Sequence, residues 1–69
     1  MKPELFGLAE FDENGVPDPD RVWIWGMETD EWAVMYWRED GQNQFATTDT
    51  AEDAAKGFGR HLDLGLVRP

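Results

Sequence analysis

The chain has 69 residues, with 15 Asp and Glu against 6 Lys and Arg, and its formal net charge at pH 7 is −9. Four Trp, four Phe and one Tyr distinguish it from the aromatic-poor acidic composition of a disordered tail. It has no Cys, no Ser and one His, which excludes Ser-His-Asp and Cys-His catalysis and the usual structural zinc sites. We therefore predict one small domain, residues 1–69, that is not an enzyme, has no catalytic residues and holds no metal or cofactor.

The first segment predicts a weak strand followed by an acidic loop. Residues 4–11 (ELFGLAEF) are apolar enough for a short strand, which Gly7 weakens. Residues 12–20 (DENGVPDPD) combine turn-forming residues with acidic ones and predict an irregular loop. Oxygen-bearing side chains at calcium-loop spacing also occur here, at Glu10, Asp12, Asn14 and Asp18. Because Arg21 stands where that pattern requires a bidentate Glu, a turn-rich loop without metal is the favoured interpretation.

A meander of three strands follows in the sequence. Bulky β-branched and aromatic residues predict strands over 21–27, 31–38 and 43–48. Asp40-Gly41, between the last two, is a strong signal for a two-residue hairpin turn. A two-residue turn at Thr29-Asp30 would place Glu28 opposite Glu31, so we expect a longer connection there.

One helix is predicted after the meander. Thr50 can cap it, and Asp53 three residues later completes a capping-box arrangement. Apolar residues recur at helical spacing at Ala51, Ala54, Ala55, Phe58 and Leu62. Gly57 costs about 1 kcal/mol relative to Ala inside a helix, so either the backbone packs closely there or the helix ends early, near Gly59. Alternating Leu residues then predict a strand over 62–67.

These elements predict an α+β fold: a small antiparallel sheet of three to five strands, arranged as a meander, with one helix near the C-terminus packed on one face. The hairpin register gives one face Trp32, Val34, Tyr36 and Phe45. It gives the other face Ala33, Met35, Trp37 and Ala46. Both faces are apolar, and one helix covers only one of them. Either Leu5, Phe6, Leu8 and Phe11 fold back over the second face, or that face serves a second copy or a partner.

The charge of the chain directs the functional interpretation. Phosphate contacts need Lys or Arg, so the composition argues against direct binding of nucleic acid or of an anionic membrane. An acidic field instead steers association with a basic protein surface, and spaced carboxylates can imitate a nucleic-acid backbone. With no signal-peptide pattern and no apolar run long enough to span a membrane, a cytoplasmic location is expected.

We therefore expect a non-enzymatic binding protein, an inhibitor or adaptor that docks on a basic surface of a larger protein, such as a nucleic-acid-processing one. The candidate partner-binding residues are Asp12, Asp18, Asp20, Glu28, Asp30, Glu31, Glu39, Asp40, Trp23, Trp25, Trp32 and Trp37. The alternative is a self-associating structural domain, a homodimer, whose acidity serves solubility only.

Overall fold

The computed structural model describes residues 3–68, which form a five-stranded antiparallel sheet with one helix on one face. The strands are β1 (Glu4–Phe11), β2 (Pro17–Glu28), β3 (Ala33–Glu39), β4 (Gln42–Thr48) and β5 (Leu64–Val67). Their order in the sheet is β4-β3-β2-β1-β5, so β4 and β5 are the edge strands. The predicted α+β class, with an antiparallel sheet and a helix near the C-terminus, is confirmed.

The β3–β4 hairpin has the predicted turn. Glu39 pairs with Gln42, and the two residues between them have positive φ angles, 52° at Asp40 and 78° at Gly41. Two positive φ angles define the type I′ turn, whose twist matches that of the flanking strands. Tyr36 consequently lies opposite Phe45, as the sequence predicted.

The connection between β2 and β3 is longer than two residues, also as expected. Glu28 pairs with Ala33, and residues 29–32 join the strands. The side chain of Thr29 holds this connection, because its Oγ1 accepts hydrogen bonds from the backbone N–H groups of Glu31 and Trp32 at 3.2 Å each. Glu28 and Glu31, which a two-residue turn would have placed opposite each other, are therefore not register partners.

Strand β2 begins earlier than the predicted Arg21. Its first residue, Pro17, pairs with Phe11, and the loop before it covers only residues 12–16. Pairing with β3 starts at Trp25, so the first part of β2 has a strand neighbour on one side alone, where a Pro without an N–H is tolerated. Register shifts in the β1–β2 ladder leave Trp23 without a partner and break the alternation of side chains along β2.

The core lies between the sheet and the helix. It consists of the buried residues Phe6, Leu8, Ile24, Ala33, Met35, Ala51, Ala54 and Leu64. Strand β1 supplies two of them as a central strand of the sheet, while its Leu5 is 55% exposed on the other side. The alternative in which the N-terminal residues fold back over the second face is therefore wrong, because they pair within the sheet itself.

The helix runs in three segments: α1 (Ala51–Ala54), a π-helical segment (Ala55–Gly59) and α2 (Arg60–Leu62). Thr50 caps it as predicted, since the Asp53 N–H donates to its Oγ1 at 3.0 Å. The helix ends at Asp63, which has the left-handed φ of 59°. It therefore passes through both glycines instead of ending near Gly59.

The close backbone contact lies at Gly59 rather than at Gly57. A Cβ added at Gly57 would meet open space, whereas one added at Gly59 would lie 2.7 Å from the carbonyl oxygen of Leu64. A π turn contains an extra residue, which rotates the residues after it about the helix axis. Leu62 is consequently 51% exposed, so its predicted place in the apolar stripe is wrong.

Candidate binding surface

The face of the sheet opposite the helix, hereafter the open face, is apolar, and no other segment within residues 3–68 covers it. Its side chains line a shallow depression of about 270 Å³ and belong to Leu5, Trp25, Met27, Val34, Tyr36 and Phe45. They form two rows across the strands, since Leu5, Met27 and Val34 are register partners and so are Trp25, Tyr36 and Phe45. The rings of Tyr36 and Phe45 lie 5.2 Å apart, centroid to centroid.

Some strand residues have a register partner on a neighbouring strand, and we call these the paired positions. The carboxylates at the paired positions lie on the helix side of the sheet. Glu28 accepts a hydrogen bond from the helix residue Ala51, and its register partner Glu4 shares that side. Glu10 pairs with the core residue Leu64. Glu39 follows Trp37 by two residues, and Trp37 packs on the helix. Among the paired positions of the described strands, the open face therefore carries no carboxylate.

The acidic loops lie at the two ends of the open face. The β1–β2 loop and the β3–β4 turn are at one end, and the β2–β3 connection is at the other. At the first end are Asp12, Asp18, Asp20, Glu39 and Asp40. At the second are Glu28, Asp30 and Glu31. The eight predicted acidic residues thus divide between the two ends of the sheet, with Glu28 and Glu39 on its helix side.

The four predicted Trp residues do not form one surface. Trp25 lies on the open face, and Trp32 is exposed in the connection before β3. Trp23 is displaced by the bulge, and its Nε1–H donates to Glu10 Oε2 at 2.7 Å beside a separate shallow cavity of about 440 Å³. Trp37 is half-buried, with its ring 5.7 Å from that of Phe58.

Several residues of the open face were not among the predicted binding residues: Leu5, Met27, Val34, Tyr36 and Phe45. The sequence held a signal for them. The β3–β4 register gives one face the small residues Ala33 and Ala46, which let the Ala-rich helix approach the sheet closely. The face with the bulky residues is then the one that the helix does not cover.

Glu28 differs from the other predicted acidic residues, because its carboxylate has structural partners. Ala51 at the start of the helix donates its backbone N–H to Oε2 at 2.8 Å, and Arg68 donates to Oε1 at 3.1 Å. The pKa of Glu28 lies below its ordinary value chiefly because of the Ala51 hydrogen bond. Partial desolvation raises this pKa, and the hydrogen bond and positive charge of Arg68 lower it further. Its side chain joins β2 to the helix.

The acidic loop uses its carboxylates to close turns. Asp12 Oδ1 accepts the backbone N–H groups of Asn14 at 2.8 Å and Val16 at 3.0 Å, and Asp18 Oδ1 accepts that of Asp20 at 2.9 Å. These are the hydrogen bonds of Asx turns. Within residues 3–68, His, Asp and Glu side chains do not gather in groups of three or more that could hold a metal ion.

No protein-family model, curated protein or solved structure matches this chain. In the part of the chain that the structure describes, none of the helices has the length and apolar character that crossing a membrane requires. The features of this molecule that bear on its function are the open face and the acidic residues at its two ends.

Proposed function

We propose that this protein is a non-enzymatic binding protein, an inhibitor or adaptor that docks through its open face on a basic surface of a larger protein. The observation that supports this function is the arrangement of the surface: an apolar sheet face whose paired strand positions carry no carboxylate, with acidic residues at each end of the sheet. An apolar centre surrounded by a charged rim is the usual anatomy of a protein–protein interface.

The two parts of the surface have different tasks in binding. Aromatic side chains supply buried area in the centre of an interface, and Trp25, Tyr36 and Phe45 stand in one row there. Carboxylates at the rim accelerate the encounter with a cationic partner and contribute less to the lifetime of the complex. With a net charge of −9, association with such a partner becomes slower as salt is added.

The partner class consistent with this charge is a protein with a basic groove, of which nucleic-acid-processing proteins are examples. Such a groove attracts phosphates, and carboxylates held at fixed separation on a rigid sheet present a comparable series of negative charges. The apolar open face then contacts the apolar part of the groove wall.

The alternative is self-association through the open face. One observation favours it: because the paired positions of this face carry no carboxylate, two copies can stack there without opposing negative charges. In that case the acidity of the chain serves solubility. A stable face-to-face dimer buries Trp25, so its fluorescence would change as the protein is diluted.

The test is affinity capture from host lysate at about 50 mM and about 500 mM salt, because screening weakens rim electrostatics. Glu31→Lys reverses one charge at an acidic end, and Phe45→Ser changes the open face at a side chain that is 68% exposed. Glu52→Lys on the helix is the matched charge control. We expect a basic protein captured at low salt, lost with both surface variants and retained with the control. The proposal fails if no basic protein is captured at low salt, or if both surface variants capture that protein as well as the wild type does.

A further inference from the structure

The outer edge of β4 is neutral and regular over seven residues, whereas the other edge strand, β5, is also uncharged but has only four. Charged residues make up 30% of the sequence, yet the seven residues of β4, QNQFATT, include none. Exposed edge strands are normally protected from pairing by Lys, Pro or a bulge. Strand β4 has no such residue, and its ladder with β3 keeps one register from Gln42 to Thr48. It is therefore a template for another strand.

The backbone groups that face outward follow from the hairpin geometry. In a two-residue hairpin the residues flanking the turn, Glu39 and Gln42, form a hydrogen-bonded pair, and such pairs alternate along the ladder. The N–H and C=O groups of Asn43, Phe45 and Thr47 consequently point away from β3. Among the described residues, the backbone hydrogen bonds outside helices and strands involve none of these groups.

We propose that β4 pairs antiparallel with β4 of a second copy, about a two-fold axis at Phe45, to form one continuous sheet. The three outward-facing residues are centred on Phe45. The axis places Phe45 opposite Phe45 of the second copy, and Asn43 opposite its Thr47. Each is a hydrogen-bonded pair of the antiparallel pattern, so the outward N–H and C=O groups of all three residues are satisfied. The interface is isologous, as in most homodimers.

The side chains are consistent with this axis. Phe45 is the most exposed large apolar residue of the described chain, at 68%, and its ring is paired with Tyr36. In the dimer the two Phe45 rings become neighbours on the same face of the joined sheet. The row of Trp25, Tyr36 and Phe45 then continues into the second copy.

The absence of charge on β4 indicates that the strand pairing with it belongs to a second copy of this chain. A basic partner strand would be attracted by carboxylates along the edge, and β4 has none. A chain with a net charge of −9 can approach itself closely only where it is neutral. This dimer goes beyond the proposed function, and it leaves the β2–β3 connection and the part of the open face on β1 to β3 away from the joined edges. Salt screens the repulsion between two copies, so added salt strengthens the dimer while it weakens binding to a basic partner.

The first measurement is sedimentation of the wild-type protein from about 10 μM to about 1 mM at about 50 mM and about 500 mM salt, because dimerisation follows mass action. We expect the mass to rise with concentration from 7.9 kDa towards twice that value, at lower concentration in high salt. A monomer throughout this range would overturn the proposal.

Single cysteines test the register, since the chain contains no other Cys. In Phe45→Cys the two sulfur-bearing residues oppose each other with Cα atoms about 5.5 Å apart, within disulfide range. In the controls Asn43→Cys and Thr47→Cys each residue lies about 13 Å from its own copy, beyond that range. Under mild oxidation we expect Phe45→Cys to cross-link at least about tenfold faster than either control. Equal rates contradict the proposed axis.

Thr47→Pro separates edge pairing from stacking of the open faces. The Thr47 N–H points outward, so Pro removes a bond of the dimer and none of the bonds to β3. We expect a folded monomer by circular dichroism and sedimentation. A folded Thr47→Pro that still dimerises assigns the interface to another surface, and if this variant does not fold, the cysteine series decides. Capture of a basic partner by folded Thr47→Pro tests the proposed function separately.

Discussion

Replacing Gly57 and Gly59 by Ala, one at a time, is expected to change the stability in opposite directions. Both glycines lie in the π-helical segment, and neither has a positive φ. Beyond Gly57 there is open space, whereas a Cβ at Gly59 would lie 2.7 Å from the carbonyl oxygen of Leu64. The two substitutions therefore share the same gain in helix propensity and differ in one steric contact.

The expected magnitudes follow from these two effects. Ala in place of Gly in a helix stabilises by about 0.5–1 kcal/mol, so Gly57→Ala should raise the free energy of unfolding by that amount. At Gly59 the same gain is opposed by an overpacking cost of about 1–3 kcal/mol, because the contacted atom belongs to the backbone and cannot rotate aside. Gly59→Ala should therefore be less stable than the wild type, by about 0.5–2 kcal/mol.

Thermal unfolding followed by circular dichroism measures the difference. In a domain of this size 1 kcal/mol corresponds to a change in Tm of about 4–8 °C, so the two variants should differ by at least about 5 °C. Urea unfolding at 25 °C provides the free energies directly. If Gly59→Ala were as stable as Gly57→Ala, the close contact between the helix and Leu64 would be refuted.

Three further stability effects follow from single contacts. Glu28 has a lower pKa in the folded protein than in the unfolded chain, so its stabilisation is present above the unfolded value of 4.5 and is lost as the pH falls through the folded value. Glu28→Gln should therefore be about 0.5–1 kcal/mol less stable than the wild type in urea at pH 7, and this difference should shrink as the pH falls below 4.5; a constant difference contradicts this. Thr50→Ala removes the helix cap and should cost about 1 kcal/mol, with Thr50→Ser as the rescuing control. Gly41→Ala places a Cβ at a φ of 78° and should cost about 1–2 kcal/mol, measured by the urea midpoint, and an unchanged midpoint would refute the type I′ assignment.

Local signals in the sequence predicted the parts of the fold that depend on neighbouring residues. Asp40-Gly41 specified the turn and thereby the register of Tyr36 against Phe45. Thr50 specified the start of the helix in the same way. Each depends on backbone preferences within a few residues, which the sequence displays directly.

The parts that the sequence did not predict depend on contacts between distant segments. The bulge at Trp23 lies in the ladder between β1 and β2, and the early start of β2 at Pro17 comes with its pairing to Phe11. The π-helical segment accommodates the contact of Gly59 with the backbone of β5. The division of the acidic residues between the two ends, by contrast, follows from the meander itself, because successive turns of a meander lie at alternate ends of the sheet.

The pairing of β5 with β1 has a consequence for how the chain folds. In the described part of the chain it is the one strand pairing that does not join sequence neighbours, and residues 12–63 form the loop that it closes. The entropy of closing a loop grows with its length, so the three hairpins should form first and the helix with β5 should dock last. By the same reasoning β5 is the strand that detaches most easily from the native protein. We expect its amide hydrogens to exchange with solvent before those of the central strands, through openings that leave the β1–β4 meander intact.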